Sequence, residues 1–418
     1  MTPKQNDILC RVEGDAPMGA LMRQHWIPAC MSEEVVERDG TPLRVRLLGE
    51  DMVVFRDTEG RIGILDEQCP HRRASLALGR NEESGLRCLY HGWKFDVDGN
   101  AVEMSSEPVD AKICATMKTK AYPVHEAAGF VWVWMGDPKQ VDSFDPPAWS
   151  AAPDDKIAIV KMHAACNWAQ VLEGAIDSAH SSSLHSSNMP TAGNVSGSTA
   201  TDEHWLRPSA DKSPRLDVER TDYGFRYAAI RKPVQEPDKQ DYVRTTLFIA
   251  PFTVMIPPNN RYKLIQMLVP IDDTNCMFYW IAWHETEGIS QDEWRKFCGA
   301  VPGVDVDPVT FRKFRNAENN YCQDREAMKA GDFTGISGIP IQDMAMWESM
   351  GAIADRSHDK LGSSDKAIIE FRKQMFSAAN AVARGEPAIG TGKDRIPHAQ
   401  LSNYEGMVGK DEDWRDRM

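Results

Sequence analysis

At 418 residues, 42% hydrophobic and 26% charged, the chain is long enough to bury two cores and has the bias of neither a disordered nor a fibrous protein. A formal charge of −14 disfavours nucleic acid and anionic membrane surfaces as partners, and it demands locally placed cations if the substrate is an anion. Nine cysteines, an odd number spread from Cys10 to Cys322, fit a reducing compartment and metal ligation better than a disulfide framework.

The opening MTPKQNDILC has no basic segment followed by an apolar run, and the most apolar stretch, AAGFVWVWM (127–135), is too short to cross a bilayer, so a cytoplasmic protein without a membrane span is expected. Residues 1–40 are expected to form an N-terminal helical segment. From Pro42 onward PLRVRLLG, DMVVFRD, RIGILDE and WKFDVDGN alternate and break at Gly, Asp and Asn, which predicts a small all-β domain over 41–150 closed by FVWVWMG. DPKQVDSFDPPAWSAAPDD (137–155) reads as a linker. Over 151–418 the long β-type runs KIAIVKMHA, DYVRTTLFIAPFTVMI, RYKLIQMLVP and CMFYWIAWH are separated by helical patterns at Asn167 to His180, Gln291 to Cys298 and Ser364 to Arg384. An α+β domain follows, with an antiparallel sheet flanked by helices. No internal repeat is evident.

Two short motifs in the first domain carry chemistry. Cys69 and His71 form C-x-H; seventeen positions after His71 comes Cys88, and with His91 it forms C-x2-H. Four soft or borderline donors on two loops suit a metal, either a structural Cys2His2 zinc or a two-iron cluster with two cysteines on one iron and two histidines on the other. Common zinc fingers group like with like, whereas here each loop supplies one of each. The stretch CPHRRASLALGRNEESGLRCLYHGWKFDVDGN resembles the Rieske [2Fe-2S] box of ring-hydroxylating oxygenases, and it lacks the additional cysteines of respiratory Rieske proteins.

A second motif lies in NWAQVLEGAIDSAHSSSLH (167–185). On a helix Asp177 and His180 share a face about 60° apart, but His180 and His185 diverge by about 140°. Both imidazoles can therefore meet only if the helix ends or deforms, which Ser181, Ser182 and Ser183 favour. The segment resembles the D-x-x-H-x4-H motif of the same oxygenases, which implies that His180 and His185 bind a mononuclear Fe(II) and that Asp177 bridges His180 to His91 of a neighbouring subunit. A facial triad needs one more carboxylate. GIPIQDMAMWESMG (338–351) offers Asp343 and Glu348; resemblance to the α-only subgroup that includes the phthalate dioxygenases favours Asp343, with Glu348 the fallback and a helix cap the competing role for Asp343.

The resemblance spans nearly the whole chain and implies an oxygenase component acting on an aromatic acid with dioxygen, by cis-dihydroxylation or alternatively by monooxygenation or O-demethylation. An acidic chain that binds an aromatic dicarboxylate such as phthalate needs arginine forks in its pocket, and Arg207 (HWLRPS) and Arg244 (DYVRTTLFIA) are arginines in apolar strand contexts. No G-x-G-x-x-G follows a strand, so the nicotinamide is expected on a separate flavin and iron–sulfur reductase. A bridge between subunits implies an obligate homo-oligomer, a trimer or hexamer by resemblance. The rival from another class is a zinc-stabilised binding module in which both motifs are structural.

Overall fold

The structure is a computed structural model and describes residues 1–108, 112–200, 204–258 and 261–418. It divides into two compact units, Val12–Pro146 and a larger one made of Met1–Arg11 with Pro147–Met418. No helix among the described residues is long and apolar enough to cross a membrane.

The smaller unit is built from three antiparallel sheets. Leu43–Leu47, Glu50–Arg56 and Ile62–Asp66 form one meander; Arg80–Glu82, Gly85–Arg87, Trp93–Phe95 and Ala101–Met104 form another. Their tightest turns have two residues, Leu48-Gly49 and Glu83-Ser84, all with positive φ, which matches the twist of a hairpin. The third sheet corrects the expected helical segment over 1–40. α-Helices cover only Pro3–Cys10 and Pro17–Met22, with one 3-10 turn at Ser32–Val35; Trp26–Met31 is a strand, because pairing with Phe130–Trp134 buries both apolar runs. The boundaries differ from 41–150 as well: the first eleven residues dock on the larger unit, where Asn167 Nδ2 and Trp168 Nε1 donate to Cys10 O at 2.8 and 3.1 Å.

In the larger unit an eight-stranded antiparallel sheet runs in the order Ile157–Ala164, Cys276–Trp283, Lys263–Pro270, Thr253–Ile256, Gln240–Ile249, Gly224–Arg231, Arg215–Thr221. The late strand Glu405–Gly409 pairs with the first half of Gln240–Ile249. Helix Trp168–Ala175 packs on the middle strands and on helix Ile339–Ser349, while Lys366–Val382 packs on the last two strands. Edge-on contacts from Phe371 to Trp168 and Phe248, at 5.9 and 5.2 Å between ring centroids, join these layers. Glu173 receives Arg356 and Arg372, each at 2.8 Å, and so ties the short helix to the C-terminal segments.

The helix expected to reach His180 ends at Ala175. The Asp177 carboxylate accepts from the amides of Ala179 and His180 at 2.8 and 3.3 Å, an alternative to continuing the helical ladder that acts before the serines are reached. His180–Ser182 then makes one 3-10 turn. The short helix meets its neighbour at Gly174, where a Cβ would come within 1.9 Å of Trp347 Nε1. Gly174→Ala is therefore expected to lower stability by about 1–3 kcal/mol, and Gly174→Ala combined with Trp347→Phe to recover part of that loss; denaturant titration of the single and double variants measures both.

Candidate active site

The two Cys/His loops of the smaller unit have matching backbones. Cys69 N donates to Ala74 O at 2.9 Å and Arg73 N to Cys69 O at 2.9 Å; in the second loop Cys88 N donates to Trp93 O at 2.8 Å and Gly92 N to Cys88 O at 2.9 Å. The fourth residue after each cysteine, Arg73 or Gly92, has positive φ, and only the histidine is displaced, standing two positions after Cys69 but three after Cys88. Both cysteines are buried in a core with Phe55, Leu86 and Phe95 and are not disulfide-bonded. His71 and His91 face each other with ring centroids 4.3 Å apart, and His71 stacks on Trp93. Burial pushes the Cys69 thiol up to about 11 against the opposing amide of His71, with Cys88 adding to the rise. Partial desolvation and the facing His71 hold His91 below the usual imidazole value.

In the larger unit the 3-10 turn after Asp177 brings His185 back to His180, their Nε2 atoms 3.2 Å apart. Asp343 comes to both from helix Ile339–Ser349, its Oδ1 lying 3.4 Å from His180 Nε2 and 3.0 Å from His185 Nε2. Gly338 occupies the cap position of that helix and Asp343 lies in its second turn, so Asp343 is not the cap. Burial alone would raise the Asp343 carboxyl, but the two imidazoles hold it well below the usual carboxylate range. Burial would lower His180, but Asp343 and Asp177 raise it. His185 Nδ1 lies 2.7 Å from Gln342 Oε1, and Gln342 Nε2 donates to Asn188, Thr334 and Ile336, which fixes the amide as the acceptor end and His185 Nδ1 as protonated. Asp177 Oδ2 stands 3.8 Å from His180 Nδ1. Glu348, the fallback carboxylate, is elsewhere: it pairs with Lys313 at 2.6 Å and accepts from Tyr321 at 2.7 Å.

One cavity opens onto His180, His185 and Asp343, walled by Trp205, Trp280 and Trp347 and reached by Arg244 and Thr246 from strand Gln240–Ile249. Arg207 does not line it. Its guanidinium is buried and donates to Ser181 O and Oγ, at 3.0 and 3.2 Å, and Ser181 is part of the wall.

Residues 25–122 match the Rieske [2Fe-2S] domain and residues 133–418 the LigXa C-terminal domain like family. The chain is 56% identical to the phthalate 4,5-dioxygenase oxygenase subunit of Pseudomonas putida, over all of this chain and 94% of that protein. It belongs to the Rieske oxygenases. Another relative, the 3-chlorobenzoate-3,4-dioxygenase oxygenase subunit of Comamonas testosteroni, is 35% identical over 90% of this chain and 88% of that one. Among solved structures, dicamba monooxygenase bound to 3,6-dichlorosalicylic acid superposes with a TM-score of 0.60 at 17% identity, covering 86% of this chain and 98% of that one, a likeness of fold.

As a Rieske oxygenase the protein carries a [2Fe-2S] cluster and a mononuclear iron, and its own residues fit both. Cys69, Cys88, His71 and His91 would hold the cluster: two buried thiols stand beside two facing imidazoles, and His71 Nδ1 is buried without a hydrogen-bond partner among the described residues. His180, His185 and Asp343 would hold the single iron, their donor atoms all within 4.8 Å of one another. Asp343 Oδ1 is buried and, among the described residues, has only the two imidazoles beside it and no well-aligned hydrogen-bond donor, which suits a ligand oxygen. Gln342 was not foreseen, since a glutamine inside a helix has no sequence signature. It orients His185, so, if His185 holds the iron, Gln342→Leu is expected to weaken iron binding about 10- to 100-fold while the cluster absorbance stays unchanged; iron content after dialysis against a chelator measures the loss.

Proposed function

We propose that this chain is the oxygenase component of a multicomponent dioxygenase that converts an aromatic dicarboxylate, phthalate, to a cis-dihydrodiol. The observation that carries this reading is that Arg244, an arginine buried on an apolar strand, faces the same cavity as His180, His185 and Asp343. The name and the 56% identity of the Pseudomonas putida relative support the same substrate.

When bound, the cluster supplies single electrons and the iron activates dioxygen. The protein's part is to place and insulate the ring. Arg244 binds a carboxylate from the cavity wall, and Arg207, bonded to Ser181 behind that wall, adds positive charge without touching the ligand, where a low dielectric strengthens the attraction. The tryptophan walls exclude water, and the protonated Nδ1 of His185, held by Gln342, keeps its Nε2 lone pair aimed at Asp343 and His180. Asp177 orients His180 through Nδ1 and joins it to His91 of a neighbouring protomer, which makes the assembly an obligate homo-oligomer, a trimer or hexamer. Electrons come from a separate flavin and iron–sulfur reductase fed by NAD(P)H. Nine cysteines, none of them in a disulfide, suit a reducing cytoplasm.

Turnover of phthalate with a reductase and dioxygen, with products identified by mass spectrometry, is expected to yield the cis-dihydrodiol; a singly hydroxylated product would place the enzyme with the monooxygenases instead. Arg244→Ala and Arg207→Ala should each raise KM by about 30-fold or more with both metal centres loaded. Asp177→Asn should keep iron and cluster yet slow turnover by about 10- to 100-fold, measured in single-turnover experiments.

A further inference from the structure

Resting on that reading, the surroundings of Arg244 specify the charge of the ligand more closely. Arg231 pairs directly with Tyr242, and Arg244 with Glu405, across neighbouring strands. Directly paired residues point to the same side of a sheet, and Tyr242 and Arg244 are two apart, so all four share one face. Arg207 joins them there, and burial together with Arg244 depresses Arg207 and Arg231 to about 10, which leaves both charged at neutral pH. Three guanidiniums thus stand together, each at most 7% exposed.

Against them the cluster contains one carboxylate among the described residues. Glu405 Oε2 lies 3.3 Å from Arg244 Nε, at ion-pair distance, while its Oε1 accepts from Tyr242 OH and, at 2.8 Å, from the Ser198 amide. Of the other nearby acids among the described residues, Asp177 stands beside His180 and accepts from two amides, and the half-buried Asp211, which accepts from the amides of Ser213 and Lys232, attracts Arg231 from a partly solvated position that weakens its effect. Arg231 donates to Ser178 O at 2.6 Å, on the cavity wall, but its Nε and Nη1, like Arg207 Nε, are buried with no hydrogen-bond partner among the described residues. Buried charge without a counter-charge is costly, so the cluster is complete only when the missing negative charge arrives.

We propose that Arg231 and Glu405 are specificity-determining residues that set the pocket's net charge at two positive, so that it selects a dicarboxylate dianion over a monocarboxylate of the same ring. Arg231 acts as a third cation behind the Ser178 wall, and Glu405 as the internal anion that cancels one of the three.

The test is calorimetric binding of phthalate and of benzoate to anaerobic, iron-loaded protein, read as the ratio of the two affinities. Arg231→Met should lower the phthalate-to-benzoate ratio about 10-fold or more, as removal of one charge a few ångströms away does at an effective dielectric of about 20. Arg231→Lys should restore the ratio, and Glu405→Gln should raise it. Equal weakening of both ligands by Arg231→Met, or an unchanged ratio in Glu405→Gln, would overturn the proposal; should Arg231→Met not fold, Glu405→Gln and Arg231→Lys decide it. A wild-type protein that binds benzoate as tightly as phthalate would instead defeat the substrate reading beneath it.

Discussion

The catalytic unit turns on a carboxylate taken out of water and set against two imidazoles. A buried anion is tolerated only when compensated, and Asp343 Oδ1, without a well-aligned donor among the described residues, is compensated by the two imidazoles at 3.4 and 3.0 Å and suits a bound cation. That requirement reaches into the fold. Helix Ile339–Ser349 has to approach the segment after Trp168–Ala175 closely enough for one oxygen to meet both histidines, and a residue without a side chain at the crossing permits the approach. Next to Asp343, the two N–H hydrogens of Gln342 are shared among three acceptors, which keeps its Oε1 aimed at His185.

The same molecule carries a formal charge of −14 and yet buries three guanidiniums beside its cavity. These facts act at different ranges. Surface charge is screened within about 8–10 Å at physiological ionic strength, so the acidic exterior repels an approaching anion only weakly, whereas charges inside the protein are hardly screened. Recognition of an anion is therefore local and depends on which side chains the central strands aim inward.

The metal chemistry was legible in the chain because all the residues that would hold the metals, except Asp343, come in short motifs. C-x-H, C-x2-H and D-x-x-H-x4-H each lie on one loop or turn, and the geometric conflict between His180 and His185 correctly demanded a break in the helix. The break was placed too late, since Asp177 stops the helix by capping amides beyond it, a contest between local hydrogen bonds that composition does not decide. Arg244 was legible as a charge on an apolar strand, and Asp343 as a carboxylate near a helix start. Arg231, Glu405 and Gln342 were not, because their importance arises from pairings between strands and helices far apart in sequence. The N-terminal assignment failed for the same reason: WIPACM becomes a strand only through a partner about a hundred residues later.

The division of the chain also orders its assembly in time. Residues 1–11 belong with a body whose remaining parts begin at Pro147, so the smaller unit is an insertion within the larger one. During synthesis Val12–Pro146 emerges complete while the first helix still waits for Asn167, Trp168 and Arg356, the residues to which it bonds. The smaller unit is thus synthesised whole before the catalytic sheet, and the amino-terminal helix can complete its bonds only after the chain as far as Arg356 has been made.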